Sequence, residues 1–294
     1  MGRVTRPGRA LGRVRDVVVV FVRAVLLVLS VAASPVFPSR SLHAQLRPLD
    51  PLDHGVYEPG TGVIVEVGAG VYDGQRASLA GTEGRLLEFG QLHVLWRWDR
   101  VAFEAAGTVL RRFDDRAVFS APVPGTREVD GARRQDAGDF RLATVVTLWA
   151  RPAGAVVLRF GTRLPTTDNE TGLERDRTDF FALVAAGWRL GPVQVAAESG
   201  VGIHGTRDDG MEQVDVWLYA LSVGYRWGTV VPGVAFVGQA DGLSGDSLRG
   251  NEDLREVRFG LRVGERRWLR VGVVRGFTAI GPEVGVSFTL GASF

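Results

Sequence analysis

The sequence predicts an all-β protein: a transmembrane, antiparallel up-and-down β-barrel of about twelve strands with both termini periplasmic. Three observations carry this expectation. Apolar and polar residues alternate with period two through most of the chain. The links between the alternating runs are long and short in turn. The chain ends on an amphipathic strand whose last residue is Phe294.

The runs fall at 61–73, 83–97, 99–113, 138–150, 155–165, 178–190, 193–204, 213–227, 230–240, 254–264, 268–277 and 283–294. Each is about the length that a tilted strand needs to cross a bilayer. In the first, Val63, Val65, Val67, Ala69 and Val71 share a face, against Glu66, Gly68 and Gly70. In the eighth, Trp217, Tyr219, Leu221, Val223, Tyr225 and Trp227 oppose Ala220, Ser222, Gly224 and Arg226. A soluble sandwich also alternates. Its inner face must be filled, however, and here one face is large and apolar while the other is small or charged. That division suits lipid outside and a polar lumen inside.

Links after odd-numbered runs are long and those after even-numbered runs are tight, such as Trp98-Asp99 and Gly191-Pro192. Short periplasmic turns and longer external loops follow that order. Of seven Trp, six (Trp96, Trp98, Trp149, Trp188, Trp227 and Trp268) sit at the tight-turn ends, where amphipathic rings form an interfacial girdle. The terminal stretch 284–294, with Phe288, Leu290 and Phe294 on one face, resembles the signal read by the barrel-assembly machinery. Physically, a last amphipathic strand must pair with the first to remove the sheet's edges.

Residues 1–44 read as a secretory signal peptide. Five Arg precede the apolar run 17–34, and Ala44 supplies a small residue at a cleavage site that leaves Gln45 first. Ala33 is an alternative site, and an uncleaved anchor is the alternative reading, although Arg23 interrupts the run. Residues 45–60 form a periplasmic lead-in that could plug the periplasmic end, although Pro48, Pro51 and Pro59 favour an extended tether. The barrel occupies 61–294.

Composition excludes several classes. Without Cys there is no disulfide, thiolate nucleophile or Cys-bound metal. The formal charge of +2 comes from the first 44 residues, since the remainder holds 28 Arg against 32 acids. Nucleic-acid binding is therefore not expected, nor is a cofactor or a metal. Asp168, Glu170 and Glu174 are close together but lack calcium-loop spacing.

The candidate lumen lining contains the acids Glu66, Glu104, Glu198 and Glu256. Its bases are Arg85, Arg97, Arg112, Arg159, Arg163, Arg258, Arg262 and Arg270. They could shape a polar pore favouring anionic or hydrogen-bonding solutes, or pair to fill a narrow barrel. Glu88 falls on the lipid face unless a bulge shifts the register. An enzyme is not expected: His54, His93 and His204 lack a Ser two residues away on the same face. The link 114–137 is the external loop best suited to fold inward, with Val118-Phe119 to tuck into the mouth; an exposed loop is the alternative.

The stretch LRFGTRLPTTDNETGLERDRTDFF (158–181) resembles the strand–loop–strand hairpin of a family of outer-membrane transporters. That family is named for proteins encoded alongside the meta-cleavage pathway of phenol degradation. The likeness rests on Arg163, Leu164 and Pro165 ending a strand, Gly172 in a polar loop, and Thr178-Asp179 opening the next strand. It implies an outer-membrane barrel passing small molecules, hydrophobic ones among them, and carries over no binding residue. The expected function is passive passage of an unidentified small solute, with outer-membrane lipid and the assembly machinery as partners. The rivals are a sealed structural or surface-interaction barrel and, further off, an outer-membrane lipid hydrolase.

Overall fold

The computed structural model describes residues 46–52, 59–127, 133–208, 210–241 and 248–294. The expected signal peptide lies outside the described residues.

Thirteen strands form one antiparallel sheet. They are β1 (Gly62–Ala77), β2 (Thr82–Trp98), β3 (Val101–Val118), β4 (Arg133–Asp136), β5 (Phe140–Arg151), β6 (Gly154–Leu164), β7 (Asp179–Leu190), β8 (Val193–Asp208), β9 (Met211–Tyr225), β10 (Val230–Asp241), β11 (Leu254–Gly264), β12 (Arg267–Gly276) and β13 (Val284–Ser293). β4 and β5 pair with β3 in one unbroken register, Arg111 opposite Asp136 and Ala106 opposite Arg141. They are one interrupted stave, so the molecule is a twelve-stranded barrel. It closes where β1 meets β13, with Val67 opposite Leu290 and Ala69 opposite Phe288. Phe294 and Val63 exchange backbone hydrogen bonds of 3.1 and 2.9 Å at the end of that seam.

The outward face is apolar where the alternation requires it. Val67, Phe103, Phe160, Val201, Phe288 and Leu290 are all exposed, which suits lipid contact. Five of the six turn-end Trp also face outward. Trp268 is the exception. It turns inward and donates its indole N–H to Glu66 at 2.9 Å, because a buried indole needs an acceptor.

At the loop end the strands run further than the alternation suggests. β3 continues through charged residues to Val118, and β8 to Asp208. Beyond the lipid band a ladder no longer needs an apolar face. Val118 stays exposed instead of tucking into the mouth.

Gly90 decides the register. Gly68 pairs with Gln91 and Ala69 with Phe89, which leaves Gly90 unpaired as a bulge on β2 with φ 63°. The inward face changes parity there: Gln91 and Glu88 both line the lumen, as do Thr108 and Arg111 on β3. Three sequence assignments change as a result. Glu88 points inward rather than to lipid. Arg85 is turned outward and does not line the lumen, pairing with Asp73 on the outer wall. Arg111, not Arg112, is the inward arginine of β3.

The lead-in is extended but is not a free tether. Residues 46–52 run inside the barrel. Leu46 packs with Tyr72, Leu86, Phe113 and Leu173 near the loops. Leu52 packs with Leu95, Val145, Val157 and Ala185 near the turns. Pro48 and Pro51 suit this path, because proline brings no backbone N–H to be satisfied in the lumen.

A Gly90→Val substitution tests the bulge. Its Cβ would lie 3.1 Å from Val109 on a backbone that disfavours side chains. A left-handed residue of that kind costs roughly 1–2 kcal/mol. The urea midpoint of the folded barrel, followed by heat-shifted gel mobility, should fall, while Gly260→Val in an open stretch of β11 should change it less.

Candidate functional site: a charged lumen closed by the chain itself

A carboxylate or guanidinium pointing into a narrow lumen must find a partner, because burial without one is costly. The inward residues accordingly form connected chains. On the turn side, His93 sits between Glu66 and Glu104, with ring nitrogens 3.2 Å from each. Both partners are acceptors, so the arrangement is satisfied by an N–H on each nitrogen. Glu104 then takes two bonds from Arg159, at 2.7 and 2.9 Å. Arg159 lies 3.5 Å from Glu198. Arg270 reaches Glu66 at 3.3 Å from β12. Five predicted lining residues, Glu66, Glu104, Arg159, Glu198 and Arg270, thus belong to one chain joined through His93.

The lead-in enters this chain. Glu198 accepts the Leu52 N–H at 2.5 Å, and Arg159 donates to the Asp50 carbonyl at 2.9 Å. Asp50 pairs with Arg258 at 2.5 Å, and Arg47 with Glu256 at 3.1 Å. Arg47 also lies 4.4 Å from the centre of the Tyr72 ring. Glu256 and Arg258 therefore hold the strap rather than an open wall. Arg262 lies over Trp268 at 4.2 Å.

At the loop end a second network closes the mouth. Glu88 binds Arg111 at 2.8 Å, Arg111 binds Glu174 at 2.6 Å, and Glu174 binds Arg163 at 3.0 Å. Arg163 continues to Asp179 at 2.7 Å, and Asp179 to Arg175. Arg175 is fully buried and donates to the Gly250 carbonyl and to Asn251. Arg163 is therefore a plug residue. Leu79, Leu173 and Ile280, buried from three loops, complete the closure.

The cluster Asp168, Glu170 and Glu174 is dispersed. Asp168 caps a short 3-10 helix at 169–171, Glu170 pairs with Arg127, and Glu174 turns inward. Among the described residues no group of three His, Asp or Glu side chains is placed to hold a metal ion. His204 is buried 3.2 Å from Arg175. His54 lies outside the described residues.

Around the strap an unfilled space of about 370 Å³ remains in the lumen, lined from strands on all sides of the barrel. Its walls include Arg262, Arg270, Gln91, His93 and Thr289. Sequence reasoning missed Arg47, Asp50, Tyr72 and Arg111. The first two lay in a segment read as a tether. Arg111 lay one parity step from the residue chosen.

Together these features define a closed, twelve-stranded membrane-type barrel with a lumen partly filled by its own lead-in and loops. Its fold is that of an outer membrane channel from Pseudomonas putida F1, at TM-score 0.56 and 15% identity. That likeness covers 83% of this chain and all of that one. A structure of the NanC porin aligns at TM-score 0.49 and 10% identity, over 78% of this chain and 98% of the porin. No family model matches the chain, and no curated protein matches it.

Arg159→Met should strand Glu104 and Glu198 without their guanidinium. Leaving a buried charge uncompensated typically costs about 3–5 kcal/mol. A urea unfolding curve of the variant in detergent should show a loss on that scale, and an unchanged curve would mean the chain of charges is not coupled to folding.

Acid should loosen the mouth first. Burial raises the Glu174 carboxyl, but Arg163 and Arg111 outweigh it and hold it below the ordinary carboxylate range. A depressed carboxylate stabilises the fold above its unfolded pKa of about 4.3, and that contribution is lost as pH falls through the folded value. Hydrogen exchange of the amides at 173–175, measured against those of β12, should accelerate in acid. Glu174→Gln should show the same loosening at neutral pH.

Proposed function

We propose that this chain is an outer-membrane channel for small solutes, here with its lumen occluded by residues 46–52 and by the loop network at its mouth. The observation that carries the proposal is the space of about 370 Å³ left within the lumen, within the size of small-molecule cavities at roughly 300–1,000 Å³. A barrel whose only task was structural would gain from filling that space with side chains. The fold shared with a solved outer membrane channel supports the reading.

Arg262 and Arg270 on one wall, beside Gln91 and Thr289, favour solutes that carry an anionic or hydrogen-bond-accepting group. The resemblance of 158–181 to the phenol meta-cleavage family agrees with small organic solutes. Passage is passive, and no residue is assigned a catalytic role. Export by the first 44 residues, a periplasmic C-terminus and recognition of Phe288, Leu290 and Phe294 by the assembly machinery complete the proposal; the N-terminal end of the strap at Leu46 lies inside the barrel near the loops.

The strap is held chiefly by the Arg47–Glu256 and Asp50–Arg258 pairs and by two apolar anchors, so it is displaceable. The test is single-channel conductance in planar bilayers of the chain from Gln45 onward, with heat-shifted mobility as the folding control. The double variant Arg47→Ala/Asp50→Ala should give larger or longer-lived steps than the wild type. Arg262→Gln/Arg270→Gln should lower anion over cation permeability. Folded wild-type and strap-variant barrels that are both silent, and that stay silent when Glu174→Gln is added to loosen the mouth, would sink the channel and favour a sealed structural barrel.

A further inference from the structure

The outer wall carries a charged surface that the channel reading does not use. β1, β2 and β3, of 16, 17 and 18 residues, are longer than β11, β12 and β13, of 11, 10 and 10. The excess stands at the loop end. There Arg76, Arg85, Arg112, Arg116 and Arg133 gather on the outside of four adjacent strands with the acids Asp73, Glu83 and Asp114, and with Glu283 beside Gly74 at the edge of the group. Register puts Arg85 opposite Asp114, and Asp114 opposite Arg133, in one cross-strand row.

We propose that this arginine surface docks the phosphate groups of lipopolysaccharide in the outer leaflet. The proposal rests on the outer-membrane reading above.

Height is the first support. Arg85 lies thirteen residues along β2 from Trp98, the exposed ring at the opposite rim. At about 3.3 Å per residue and a tilt of roughly 40°, this is a rise of about 33 Å. An apolar band is about 25 Å tall, so Arg85 stands just past its edge, at headgroup level. Below it on the same outward face are Leu87 and Phe89, the latter exposed, so the wall changes from lipid tail to headgroup within one step.

The chemistry is the second. Arg85, Arg112, Arg133 and Arg76 each meet their acid through Nε, at 3.2, 3.0, 3.1 and 2.7 Å. The acids fix the guanidinium planes while the terminal nitrogens point onward. Arg133, Arg116 and Arg85 retain 62%, 48% and 45% of their side-chain exposure. Planar forks held in this way match phosphate oxygens in pairs.

The third is asymmetry. Across the barrel, the exposed loop-end positions of β9 carry Glu212 and Asp215. Single exposed arginines stand elsewhere at the loop end, Arg177 before β7 and Arg275 on β12, but a general attraction to an anionic surface would not need five gathered on four adjacent strands. A surface one glycolipid wide does.

The test uses the folded chain from Gln45 onward in nonionic detergent, with fluorescently tagged bisphosphorylated lipid A as the probe and anisotropy as the readout. Arg85→Gln/Arg112→Gln/Arg133→Gln should bind about tenfold more weakly or worse, as loss of several charge-assisted hydrogen bonds predicts. Arg151→Gln/Arg189→Gln at the opposite rim should bind as the wild type does. Dephosphorylated lipid A should bind the wild type as poorly as the probe binds the triple variant. Equal binding by the triple variant overturns the proposal. So does displacement of the probe by equimolar phosphatidylglycerol or by inorganic phosphate, which would reassign the surface to anions in general. The substituted side chains lie on the outer wall and are partly exposed, and circular dichroism with heat-shifted mobility verifies that the variant folds. Failure of the chain to insert into any bilayer would strike the outer-membrane reading instead. Insertion with no preference for lipid A strikes this proposal alone.

Discussion

Backbone N–H and C=O groups facing hydrocarbon have no water to bond, so a sheet in lipid must leave no edge. The pairing of β1 with β13 meets that demand, and much of the remaining structure follows from it. Once the ladder closes, every second residue is committed to the interior of a narrow tube. Twelve strands make a lumen too wide to be filled by small side chains and too narrow to hydrate every charge freely. The alternation that gives the wall its lipid face thereby forces Glu66, Glu104, Arg159, Glu198 and Glu256 into a shared, partly dry space.

The chain meets this second demand by pairing. The interior carboxylates are matched by arginines or by His93, and several serve two partners. Such networks are not large sources of stability, because desolvation offsets much of the attraction. Their effect is on geometry. Guanidinium forks fix the positions of their carboxylates, and the carboxylates in turn fix the strap, through Glu198 at Leu52 and Glu256 at Arg47. At the mouth, Arg175 binds Asp179 and the 250–251 loop at once. Arg163, through Glu174 and Asp179, ties the loop at 173–175 to the strands. The lumen is occluded from two sides by the same chemistry.

The bulge at Gly90 shows how one backbone irregularity redistributes charge. Without it, Arg85 and Arg112 would enter the lumen and Glu88 would face lipid. With it, Glu88 and Arg111 join the mouth network and the displaced arginines collect on the outer wall above the apolar band. A single glycine thereby builds part of the plug and the exterior cationic surface together.

The sequence alone determined what depends on period and composition. Twelve staves, their boundaries to within a few residues, the lipid-facing set, the turn-end Trp and most inward charges were legible, because strand alternation is a local property. The tertiary structure decided the rest. Arg85 was assigned to the wrong side because a bulge leaves no trace in alternation beyond one glycine among many. Trp268 sits at the rim as expected, yet its inward turn depends on Glu66, two hundred residues away. The lead-in carries prolines whether it hangs free or threads the barrel. Only closure of the sheet creates the space it enters, and only that space brings Arg47 to Glu256 and Asp50 to Arg258. Which charges pair, and whether the lumen is open, depend on distances across the barrel, which no local pattern encodes.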